Sequence, residues 1–67
     1  MNTTESLQKA KTATREAVAA CSLAVAVAEG QKQHLLALNI AEEMEKIHKS
    51  AERLERLLAI VNEGGAS

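Results

Sequence analysis

One spacing constrains this chain more than any other feature. Ile40, Met44, Ile47, Ala51, Leu54, Leu58 and Val61 follow one another at intervals of 4, 3, 4, 3, 4 and 3 residues. An uninterrupted 3.5-residue repeat holds one apolar stripe on one side of a helix and aims it at a second helix in left-handed packing. Leu36 and Leu57 widen one edge of the stripe. The opposite side holds Glu42, Glu45, Lys46, Lys49, Glu52, Arg53 and Arg56. Glu42–Lys46, Glu45–Lys49 and Glu52–Arg56 are i,i+4 pairs with the acid first, each contributing about 0.2–0.5 kcal/mol. The pattern predicts a helix over about residues 32–62.

The first half needs a different reading. Leu7, Thr14, Cys21 and Ala28 lie a heptad apart, with Ala10, Ala17 and Ala24 between them. This seam is made mostly of small side chains, which let helix axes approach toward the lower end of the usual range. Asn2, Thr3 and Thr4 are competent N-caps, and Glu5 completes a capping-box spacing with Asn2. With no proline in the chain, the lone internal glycine, Gly30, is the natural stop. It is expected to take the left-handed conformation beyond a helix over about residues 4–29. Gln31, Lys32, Gln33 and His34 supply no Ser, Thr, Asp or Asn cap for the second helix. A single helix running through Gly30 costs only about 1 kcal/mol relative to alanine and is the competing reading. Residues 63–67 read as a loose tail. The expected fold is therefore all-α: an antiparallel two-helix hairpin, coiled-coil-like, in a single domain.

Sixty-seven residues rarely build a sufficient core alone. Thirteen of them are alanine, which buries little area per residue. Once the seam is used, Val18, Leu23, Val25, Val27, Leu35, Leu38 and Ile60 remain, and they do not fit one face. This surplus predicts completion into a helical bundle, either by a second copy or by a helical protein partner. The residues expected to carry the contact are Val18, Cys21 and Val25 of the first helix and Leu54, Leu57, Leu58 and Val61 of the second.

Composition removes several classes of function. Aromatic residues are absent, so base-stacking platforms for single-stranded nucleic acid are missing. The net charge of −1 gives neither a basic field nor an acidic tail. The apolar run from Ala17 to Ala28 spans only about 18 Å as helix, short of the roughly 30 Å hydrocarbon layer. A single cysteine and the absence of a visible leader imply a reduced, cytoplasmic setting.

No residue group points to catalysis, a metal or a cofactor. Cys21 is mid-helix, and an antiparallel turn would set it near Ile40, away from either histidine; it reads as a small buried hydrophobe. His34 and His48 are fourteen residues apart, about 21 Å along a helix, and cannot share a metal. Lys46, Lys49, Arg53 and Arg56 share one ridge at spacings of 3, 4 and 3 and, together with Lys9, Lys11 and Arg15 of the first helix, are the candidate contacts to nucleic acid. Glu42, Glu45, Glu52 and Glu55 interleave with them, so a solvated, pair-laced face is the favoured reading.

Two families share this outline. In size and architecture the chain resembles the Rop-type plasmid-copy-control proteins, whose helical hairpins dimerise into RNA-binding four-helix bundles. The segment Ala51-Glu52-Arg53-Leu54-Glu55-Arg56-Leu57-Leu58-Ala59-Ile60-Val61 is similar to the C-terminal segment of the needle-subunit co-chaperones of bacterial type III secretion, also small helical hairpins. The aromatic residues expected in parts of that family are missing. This second resemblance implies a cytoplasmic adaptor that helps a larger helical chaperone keep a needle subunit from polymerising. A non-enzymatic protein-interaction module follows from this reading, with the Rop-like RNA binder as the alternative.

Overall fold

The computed structural model describes residues 2–65. Two helices, α1 (Thr3–Gly30) and α2 (His34–Gly65), pack against each other as an antiparallel hairpin, with no strand among the described residues. The chain therefore turns at residues 31–33 and does not run on as one helix. The Asn2 side chain caps α1, its Oδ1 accepting from the Glu5 amide at 2.8 Å. That bond satisfies one of the donors left open at a helix start.

The turn differs from expectation in an informative way. Gly30 is the last residue of α1, and no described glycine has positive φ. The left-handed residue is Lys32, at φ 62°. The Gln33 amide donates to the Ala28 carbonyl at 2.8 Å, and the Lys32 amide to the Glu29 carbonyl at 3.0 Å. These two bonds form a Schellman motif, which satisfies the last carbonyls of the helix and reverses the chain. Position is decided by which residue sits two places past the last helical one, and here that residue is a lysine. The Ala37 amide then donates to the Gln33 carbonyl at 2.9 Å and opens α2. At its far end α2 runs through Glu63, Gly64 and Gly65, beyond the expected stop near 62; Ala66 and Ser67 lie outside the described residues.

The α2 stripe lies where its spacing put it. Ile40, Met44, Ile47, Leu54 and Val61 are half-buried, and Ala51 and Leu58 are buried. The α1 seam is rotated from the expected one. Thr4, Leu7, Lys11, Thr14, Val18, Cys21, Val25 and Ala28 form an unbroken 3, 4 repeat of half-buried or buried residues. Ala24 is exposed, and Ala10 and Ala17 sit only at the seam's flank. The rotation brings valines inward where alanines were expected; each adds two carbon atoms of burial, at roughly 0.8 kcal/mol per methylene equivalent. Thr14 enters the seam with its hydroxyl donating to the Ala10 carbonyl, so no polar atom is stranded.

The core is thin. The buried apolar residues are Ala28, Ala37, Ala51 and Leu58, and three of these four carry only a methyl group. The Cα trace measures 53 × 17 × 11 Å, a slab one helix thick. Its radius of gyration is 15.4 Å, against about 11 Å for a compact chain of this length. Both broad faces of the slab are open to solvent.

Candidate functional surfaces

The contacts of Arg15 fix the register. Its Nη1 approaches His48 Nδ1 at 3.2 Å, and its Nε donates to Glu55 Oε1 at 3.1 Å. His48 and Glu55 are one heptad apart, so Arg15 lies level with a point between them, beside Ala51. Stepping along both helices sets Cys21 beside Met44, one turn from the Ile40 neighbourhood that the sequence suggests. Toward the turn, the same register brings together Ala28 and Ala37; toward the open end, Leu7 and Leu58.

The register also distinguishes the two faces. On one, Arg15 bonds Glu55 through both Nε and Nη2. His48 accepts from Arg15 at Nδ1 when its proton is on Nε2, and Nε2 lies 3.2 Å from Glu52 Oε1. Hydrogen bonding from Arg15 is the first cause holding the Glu55 carboxyl below the usual carboxylate range; desolvation opposes it, and the Arg15 and Lys11 charges add to the lowering. Glu29, Glu45 and Glu52 share this face by heptad position, so it is acidic. Sequence reasoning offered Arg15 only as a possible phosphate contact and missed its pairing with α2. An arginine is ordinary on a solvated helix, and only the pairing of two helices reveals its partners.

The other face carries the flank of α1 away from Arg15. Ala10, Ala13, Ala17, Ala20, Ala24 and Val27 fall there by heptad position. From α2 it takes Leu36, Glu43, Ser50 and Leu57, with Lys46, Arg53 and Ile60 along its outer edge. Ala13, Ala20, Ala24 and Val27 are exposed, as are Leu36, Leu57 and Ile60. Outside this face, Leu35 is 74% exposed, Leu23 70% and Leu38 61%. Exposed single aliphatics are ordinary; seven on so small a chain, beside an alanine run, are not.

Of the seven expected contact residues, Val18, Cys21, Val25, Leu54, Leu58 and Val61 line the seam between α1 and α2. Leu57 lies on the open alanine-bearing face. The basic ridge is assembled in part: Lys49, Arg53 and Arg56 line one shallow groove together with Glu52. Lys46 lines a neighbouring groove and pairs with Glu43 at 3.2 Å, not with Glu42. Glu52 pairs with His48, not with Arg56. Among the described residues no helix is long and apolar enough to cross a membrane. Comparison with protein-family models, curated proteins and solved structures yields no match.

Proposed function

We propose that this protein is a protein-interaction module, an adaptor or co-chaperone, that works by docking helical protein surface against its open apolar face. One observation carries the reading: Val27, Leu36, Leu57 and Ile60 stand in solvent on that face of a slab one helix thick, and Leu23, Leu35 and Leu38 are exposed outside it. The accessible surface is 4903 Å², against about 4,100 Å² for a compact 7.1-kDa protein. The difference, about 800 Å², is what one partner contributes to an interface of standard size.

The specific form of this reading is a cytoplasmic co-chaperone of a type III secretion needle subunit. The similarity of Ala51–Val61 to that family's C-terminal segment supports it, as do the size and hairpin architecture. The test is to mix the pure protein with a needle subunit and its larger helical chaperone. Co-elution as one complex and slower needle polymerisation are expected. Separate elution with unaltered polymerisation removes the needle-subunit form. Retention of all partner binding by a Leu36→Glu, Leu57→Glu variant removes the open face as the docking surface.

A further inference from the structure

The alanine-bearing face is complementary to itself, and the geometry points to a second copy of this chain as its occupant, making an antiparallel four-helix bundle. The inference rests on the open apolar face being a docking surface, and it names what docks there.

The argument is one of symmetry. A two-fold interface sets the same patch of each copy against the other, so the patch must match its own rotated image. Place the axis across the slab at Ala17 of α1, level with residue 48 of α2. Along α1, Ala17 then meets Ala17 of the second copy, Ala10 meets Ala24, and Ala13 comes within one position of Ala20. The direct contacts, Ala17 on Ala17 and Ala10 on Ala24, are methyl on methyl, which allows close approach of the two α1 helices. Along α2, Leu36 meets Ile60 of the second copy, with Leu57 one turn away. The aliphatics thus sit at both ends of the patch, about 31 Å apart between Leu36 and Leu57, and exchange places under the rotation.

Charge obeys the same axis. Glu43 is brought opposite Arg53 of the second copy, and symmetry forms that pair twice. Arg53 has no ion-pair partner among the described residues. Glu43 pairs only with Lys46, and both side chains are largely in solvent, so that pair is readily shared. The acidic face with Arg15 lacks this property: its own image would oppose carboxylates. The area also fits, since the excess accessible surface matches one side of a standard interface.

The test combines mass with directed cross-linking. Sedimentation equilibrium is expected to give twice 7.1 kDa at micromolar concentration. With Cys21→Ser as background, Ala17→Cys is expected to form a disulfide-linked dimer under mild oxidation. Ala19→Cys, on the far side of α1, is expected to remain unlinked. Glu43→Arg is expected to weaken dimerisation about tenfold, and Glu43→Arg with Arg53→Glu to restore it. A helical monomer across the whole concentration range overturns the inference. So does cross-linking at residue 19 equal to that at 17. A monomer that still forms a mixed complex with a helical partner overturns the second copy alone and leaves the interaction-module reading standing.

Discussion

Two residues at the turn hold conformations that suit the other better. Lys32 is left-handed, which costs a residue with a Cβ about 1 kcal/mol or more. Gly30 is helical, with open space where a Cβ would go, and gives up about 0.5–1 kcal/mol relative to alanine. Gly30→Ala is therefore expected to raise stability by roughly 0.5–1 kcal/mol, and Lys32→Gly by about 1 kcal/mol; urea melts of each variant measure this. Loss of stability in Lys32→Gly would show that the Schellman turn is absent in solution. A second residue-scale expectation concerns Glu55. Its folded carboxyl is held below the usual range by Arg15, so it binds fewer protons folded than unfolded at mildly acidic pH. The contribution is present above the ordinary carboxylate range and fades as pH falls through the folded value. Glu55→Gln is thus expected to destabilise at pH 7 and to match the parent in strong acid. A difference that stays constant with pH would dissociate it from Arg15.

At the scale of the element, α2 is the helix whose role could be read directly. Its seven seam positions repeat without interruption, and bulky side chains make the stripe unambiguous. The α1 repeat was legible only in outline. Alanines surround that helix, so a rotation of one position changes its apolar face very little. What resolves the choice is the partner surface, which draws in Val18 and Val25 and leaves Ala24 outside. Leu54→Asp is expected to abolish folding, because it sets an unpaired charge in the seam; a full helical circular-dichroism signal in that variant would refute the seam. Ala51 is wholly buried, opposite Thr14. Ala51→Leu is expected to cost about 1–3 kcal/mol by overpacking a site built for a methyl. A rise in the thermal midpoint would show room that the packing does not provide.

At the scale of the whole molecule, the thin slab governs what the chain can do. Four small buried residues provide little core, and both broad faces meet water. Association that buries a face must then add stability, and mass action makes that stability depend on protein concentration. The thermal midpoint is expected to rise by several degrees between about 5 and 500 μM protein, as coupled dimerisation of so small a domain implies. A midpoint independent of concentration would separate folding from self-association.

Local pattern was enough for the helical content and the buried stripe of α2; it marked Asn2 as one of three competent caps and favoured a hairpin at Gly30 over one continuous helix. All four depend on local spacing or on a single residue's backbone preference, which act over a few residues. Packing of one helix on the other settled the rotation of α1, the placement of the left-handed residue at Lys32 and the bonds from Arg15 to His48 and Glu55. These depend on groups thirty or more positions apart, or on how one helix ends so that the next can pack. In an alanine-rich helix many rotations are nearly equal in burial, and the neighbouring helix breaks the tie.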